Sequence, residues 1–323
     1  MSKPPFLVLP PVARAYRLAT ARGEFAVHDA GRPRLGTALL LPGFTGSKED
    51  FIALLEPLAG AGFRAVAVDQ RGQYETDGPR TEAAYAREEL ALDALALAEA
   101  LQQDDSVALH GSDSDSDSAT VNSPDDGRSG GTRGPVHLLG HSLGGLIARE
   151  AVLRDRTPFA SLTLMSSGPA AVSATQQHRL KLLLGALPVM TAEEIWQAMR
   201  ELDPVEAADE STPPEVAGFM HERWLAHVPE QLCATAQQLI AEPDRVGELA
   251  AAVSASGPDR PALPVHVLSG SVDYAWPVPL IDDMAVRLGA VRTVVQGAGH
   301  SPNAERPGET AQALADFWSG APG

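Results

Sequence analysis

The sequence predicts an α/β fold: a mostly parallel, doubly wound sheet into which a helical segment is inserted. Three observations carry this. Short apolar runs alternate with helix-compatible stretches along most of the chain. Several runs, such as 37–41 and 64–68, are apolar almost throughout, as strands covered on both faces are. In the third, the run 136–139 meets Gly140-His141-Ser142-Leu143-Gly144 and then a helix-compatible stretch to Arg154. Strand, tight turn and helix in that order, an elbow centred on Ser142, give this G-x-S-x-G pattern its meaning.

The elements follow in chain order. Residues 1–14 read as a disordered lead-in. Pro4, Pro5, Pro10 and Pro11 interrupt the apolar stretch between them, which is too short for the apolar region of a signal peptide. Residues 15–29 form a hairpin turning at Arg22-Gly23. The strand over 37–41 ends in the turn-rich Pro42-Gly43-Phe44-Thr45-Gly46-Ser47. A helix over 48–59 is stopped by Gly60 and Gly62. The strand over 64–68 closes on Asp69-Gln70-Arg71-Gly72, and an Ala- and Leu-rich helix spans 81–103.

Residues 104–134 differ in kind. They are rich in Ser, Asp and Gly and nearly free of large apolar side chains, so they cannot bury enough surface to offset their ordering entropy. A disordered insertion is expected there. Its Asp113 to Asp117 alternation resembles a calcium loop, but Ser118 stands where such a loop needs glycine and Pro124 where it needs glutamate.

A strand over 161–165 follows the elbow helix. Residues 169–261 show no strand pattern, only helical segments at 176–184, 192–201, 214–226 and 230–241, and so form a helical insertion. A strand at 265–268, a helix at 278–288, a strand at 291–295, the loop Gly297-Ala298-Gly299-His300 and a helix over 305–318 close the chain. The core therefore comprises 15–168 and 262–320.

Composition narrows the function classes. Of 323 residues 44% are apolar, ample for a core, and only 5% are aromatic, so Leu, Val and Ala must fill it. The net charge of −17 repels phosphates and no basic stripe compensates, which argues against nucleic acid as a partner. Cys233 is the one cysteine, so neither an intramolecular disulfide nor a cysteine metal cluster can form, and a reducing, cytoplasmic setting is expected. No run approaches membrane-spanning length. Oligomeric state is not legible.

Ser142 is the candidate nucleophile. A turn this sharp strains its backbone, and side chains at Gly140 or Gly144 would collide with the neighbouring strand and helix. Free N–H groups at the helix start stabilise negative charge, which makes Leu143 N–H an oxyanion donor. The second donor is Phe44 N–H, beside Gly43; Pro42 has no N–H to give. A serine needs a base, most often histidine. His137 and His266 lie within strands, His141 packs beside the elbow, His178, His221 and His227 fall in the helical insertion, His110 in the acidic run and His28 in the hairpin. His300 alone follows a late strand in a Gly-rich loop. Asp273 follows its strand in the same way and orients the base, whereas Asp282 and Asp283 sit on the next helix. Asp69 and Arg71 are expected to organise their loop by ion pairing.

These pieces together resemble the α/β-hydrolase superfamily: Leu39 to Phe44, Asp69-Gln70-Arg71-Gly72, Gly140 to Gly145, Gly270-Ser271-Val272-Asp273 with Pro277, and Gly297 to His300. They run in family order over roughly residues 15 to 320. The resemblance implies an α/β-hydrolase fold with a helical cap at 169–261, Ser142 as nucleophile, His300 as base and Asp273 as acid. Two features depart from the family pattern: Pro42 replaces the histidine often found before the oxyanion glycine, and the acidic insertion is atypical. Members with an aspartate nucleophile cleave epoxides or carbon–halogen bonds, which Ser142 argues against. The expected activity is a serine hydrolase acting on a carboxylic ester of a small-molecule, apolar substrate, with no cofactor and no metal. The same catalytic set serves aminopeptidases, lactonases, C–C hydrolases and haloperoxidase-like enzymes, and a non-catalytic ligand-binding protein could retain it. An aminopeptidase needs carboxylates for the substrate amine, and Glu193, Glu194, Glu206 and Asp209 are the candidates.

Overall fold

The computed structural model describes residues 2–103, 136–202, 212–257 and 261–321. The acidic insertion expected at 104–134 lies outside the described residues, as do His110, Glu206 and Asp209. The chain opens with β1 (Ala13–Thr20) and β2 (Gly23–Ala30), paired antiparallel. Then come β3 (Gly36–Leu41), α1 (Ile52–Gly60), β4 (Phe63–Val68), α2 (Arg87–Gln103), β5 (Val136–His141), α3 (Leu143–Arg154) and β6 (Phe159–Met165). Helices α4 (Ala174–Ala186), α5 (Ala192–Leu202), α6 (Pro214–Ala226), α7 (Pro229–Ala241) and α8 (Val246–Ser254) follow. The chain ends with β7 (Val265–Gly270), α9 (Val278–Leu288), β8 (Val291–Val295), α10 (Pro302–Glu305) and α11 (Pro307–Ser319).

The eight strands form one sheet in the order β1-β2-β4-β3-β5-β6-β7-β8. Every pairing from β4 across to β8 is parallel; β1 and β2 run antiparallel at one edge. The continuous apolar runs are explained by cover on both faces. Side chains alternate along a strand, so Leu39 and Leu41 join the cluster packed by α2, α3, α8 and α9, while Ala38 and Leu40 join the one packed by α1 and α11.

Several boundaries differ from the sequence pattern. The expected helix over 81–103 is a 3-10 turn at Glu82–Tyr85, an extended residue at Ala86, then α2. The buried Tyr85 side chain causes the break: its hydroxyl donates to the Pro79 carbonyl at 2.7 Å. The closing helix splits at Arg306, because the residue before Pro307 is sterically pushed out of the helical region. The short helix α8 has no counterpart in the pattern; its Val246, Leu249 and Val253 belong to the main core cluster. Of the expected lead-in, Ala13 and Arg14 belong to β1, while residues 2–12 carry no helix or strand yet are held against the rest of the chain. Pro4 is buried, and Arg223 Nη2 donates to the Ser2 carbonyl at 2.6 Å. Among the described residues no helix is long and apolar enough to cross a membrane.

Candidate active site

Parallel strands send their carboxyl ends to one edge of the sheet. β5, β7 and β8 do so here, and the loops leaving them carry Ser142, Asp273 and His300. Ser142 has φ 55° and ψ −119°, a strained conformation held by its N–H bonding to the Met165 carbonyl at 2.9 Å. The flanking glycines are obligatory. A Cβ on Gly140 would strike the backbone of Gly144 and Gly145, and one on Gly144 would strike the Leu41 and Pro42 carbonyls.

The three side chains meet. His300 Nε2 is 3.1 Å from Ser142 Oγ, and His300 Nδ1 is 2.9 Å from Asp273 Oδ2. All three residues are buried. Asp282 and Asp283 stay on α9, each beside an arginine. The His300 ring lies between Tyr274, with centroids 4.7 Å apart, and His141, at 5.1 Å. Tyr274 is half exposed as a residue, and desolvation of its phenol, with Asp273 next in effect, pushes it up to about 12.

His141 does pack beside the elbow, and it also does something that local pattern did not reveal. Its Nε2 bonds the backbone carbonyl of His300 at 2.9 Å. Burial pushes this imidazole down to about 3, so it is neutral and Nε2 carries the proton it donates. His141 thereby ties the loop that carries His300 to the loop that carries Ser142. Two other strand histidines are held internally: His137 by Ser161 Oγ at 2.9 Å and by stacking on Trp318, and His266 by Thr293 Oγ1 at 2.8 Å. His221 pairs with Glu193 on the surface, and His178 is exposed at the cavity rim.

The loop after β3 runs beside the elbow, and a Cβ on Gly43 would sit 3.2 Å from Ser142 Cβ. The N–H groups of Phe44 and Leu143 meet no backbone carbonyl among the described residues. Asp69 and Arg71 are ion-paired, though not to each other. Asp69 takes the Lys48 ammonium and the Lys48 N–H at 2.9 and 2.7 Å, while Arg71 grips Asp93 of α2.

A cavity of about 660 Å³ opens over Ser142 and His300. Val172, Leu183, Met190, Ile195, Met199 and Trp224 line it. Trp196 and Phe219, equally apolar in the sequence, pack inside the protein instead. Among the described lining residues Asp50 is the one carboxylate, fully buried with its Oδ1 2.6 Å from Arg223 Nη1. Glu193 and Glu194 face away: Glu193 bonds Gln197 and His221, and Glu194 bonds Thr191. Among the described residues no three His, Cys, Asp or Glu side chains gather as metal ligands would.

The fold has many solved counterparts. A thermophilic esterase from Thermogutta terrifontis aligns at 22% identity and a TM-score of 0.65, covering 94% of this chain and 98% of that one. A carboxylesterase of the ammonia-oxidizing Thaumarchaeon Nitrososphaera gargenis aligns at 19% identity and a TM-score of 0.67, covering 94% and 97%. An epoxide hydrolase from metagenomes of hot environments aligns at 18% identity and 0.68, covering 97% and 100%. At such identities the likeness speaks for the fold alone. No curated protein sequence matches the chain. The sequence profile of the Alpha/beta hydrolase family matches residues 38–313, which is most of the chain and includes the loops that carry Phe44, Ser142, Asp273 and His300. The chain belongs to the alpha/beta hydrolase family.

Proposed function

We propose that the protein is a serine hydrolase of carboxylic esters with small to medium apolar acyl or alcohol groups. The observation that carries the proposal is the unbroken hydrogen-bond chain Ser142–His300–Asp273 beneath an apolar cavity. His300 Nε2 takes the Ser142 proton as Oγ attacks the acyl carbon. Asp273 holds the imidazole with Nδ1 protonated and stabilises the imidazolium that forms. The Phe44 and Leu143 N–H groups receive the oxyanion, each worth roughly 3–4 kcal/mol in the transition state. The alcohol leaves with the proton from His300. Water, deprotonated by His300, then releases the acid and restores Ser142. The helices after β6 act as a cap whose α4 and α5 supply the apolar wall.

An aminopeptidase is the weaker reading. Asp50 would have to hold the substrate amine, yet Arg223 already occupies it.

The test is labelling with a fluorophosphonate followed by mass spectrometry, alongside Ser142→Ala and His300→Ala. Label on Ser142 that is lost in both variants supports the proposal, and an ester series graded by chain length then defines the substrate. Folded wild-type protein that takes no label argues for a ligand-binding protein instead.

A further inference from the structure

We propose that Gln73 is the positioning residue of the oxyanion hole, aiming the Phe44 N–H from behind its loop. The inference rests on the nucleophile and oxyanion roles proposed above.

Gln73 is wholly buried and does not border the cavity. Its Nε2 donates to the Gly43 carbonyl at 2.8 Å and to the Phe44 carbonyl at 3.2 Å. Its own Oε1 is held by the Gln70 N–H at 3.2 Å, and Gln70 Nε2 donates to the Pro42 carbonyl at 2.9 Å. The carbonyls of Pro42, Gly43 and Phe44 are thus all turned toward the segment that follows β4.

This orientation has a direct consequence. The Gly43–Phe44 peptide is trans, so its C=O and N–H point in opposite directions. Fastening the Gly43 carbonyl to Gln73 turns the Phe44 N–H away from Gln73. Gly43, Phe44 and Ser142 all border the cavity, and Gly43 packs directly on Ser142. The N–H is therefore directed to the side where an oxyanion forms. Within the loop the Gly46 N–H also reaches the Gly43 carbonyl, at the longer distance of 3.2 Å, but Pro42 supplies neither an N–H nor a polar side chain, so the side-chain brace comes from outside the loop.

The residue type fits the task. A carboxamide can donate to two carbonyls with one end while accepting an N–H with the other. A hydrocarbon would leave the Gly43 carbonyl with only the longer Gly46 N–H contact and would remove the amide from the Phe44 carbonyl, and a carboxylate would repel both.

The test uses the full chain with p-nitrophenyl butyrate, comparing wild type, Gln73→Leu and Gln73→Glu, each checked by thermal melting. In both variants kcat is expected to fall about 10- to 100-fold, less than the loss on deleting a donor outright, with KM within about twofold. Fluorophosphonate labelling of Ser142 slows in parallel, because the phosphonyl oxygen occupies the same hole. Gln73→Glu adds a readout that general loosening does not move. Burial raises its carboxyl pKa, and the protonated form can donate to the Gly43 carbonyl. Its kcat relative to wild type therefore rises between about pH 8 and about pH 5.5, whereas that of Gln73→Leu stays flat. If neither variant folds, Gln73→Asn takes their place; it keeps the amide with a shorter reach and is expected to lose kcat by a smaller factor. Undiminished kcat in a folded variant, or a loss confined to KM, overturns the proposal. Wild-type protein that neither labels nor turns over overturns the nucleophile role itself, and this inference with it.

Discussion

Asp273 divides its two oxygens between two tasks: Oδ2 lies 2.9 Å from His300 Nδ1, and Oδ1 takes the N–H groups of Ala275 and Trp276 at 2.8 and 3.0 Å. The backbone thus orients the carboxylate before the histidine meets it. Asp273→Asn can keep the Oδ1 contacts but presents N–H groups to His300 Nδ1. That forces the proton onto Nε2, which then cannot accept one from Ser142. The expected result is a fall in kcat of about 10⁴-fold with little change in melting temperature. A loss under about tenfold in an ester assay would remove Asp273 from the role.

The apolar wall should set chain length. Leu183 and Met190 both line the cavity. Leu183→Trp or Met190→Trp fills it, so the longer esters of a p-nitrophenyl series from acetate to laurate should lose roughly tenfold or more in kcat/KM while the shortest change little. An unchanged chain-length profile in both variants would mean that this wall does not bound the substrate.

Arg223 of α6 and Asp50 form a fully buried pair 2.6 Å apart, and the same Arg223 atom contacts Ser47 Oγ at 3.2 Å. Burial raises the Asp50 carboxyl despite this partner. Arg223→Met would strand it and should lower stability by about 3–5 kcal/mol in denaturant melts. Asp50→Asn added to Arg223→Met should recover part of the loss. A single variant as stable as wild type contradicts the account.

Burial lowers several histidines: His141 to about 3, and His28, His137, His227 and His266 to about 4. The unfolded chain binds these protons near pH 6.5, where the folded protein still refuses them. Their contribution to stability is therefore complete above about pH 6.5 and is lost as pH falls toward 4. Each adds a slope of up to about 1.4 kcal/mol per pH unit in that window. Melting temperature should drop steeply between neutral pH and about pH 4.5, and a flat profile there would contradict the burial of neutral imidazoles.

The elbow was legible because its information is local. A buried strand, a turn that tolerates no side chain at Gly140 or Gly144, and a helix-forming run are each written in adjacent residues, and α3 spans 143–154 as the pattern expects. The placement of Asp273 and His300 just after strands was legible too, since parallel strands bring their carboxyl ends to one edge whatever the details of packing. The breaks at Ala86 and Arg306 were less so. Pro307 offered a signal for the second, but the first depends on where Tyr85 is buried.

Sequence alone, then, determined the sheet, the order of its strands along the chain and the identity of the three side chains that meet. Tertiary structure alone decided that His141 would bond the His300 carbonyl, 159 residues away, and that Gln73 would hold the Gly43 carbonyl, 30 residues away. It also decided which apolar side chains face the cavity and which pack inside. Periodicity reports how a backbone segment curls and which face it buries. Hydrogen bonds between distant loops have no period, and they form only where the finished packing brings the two polar groups within reach away from water.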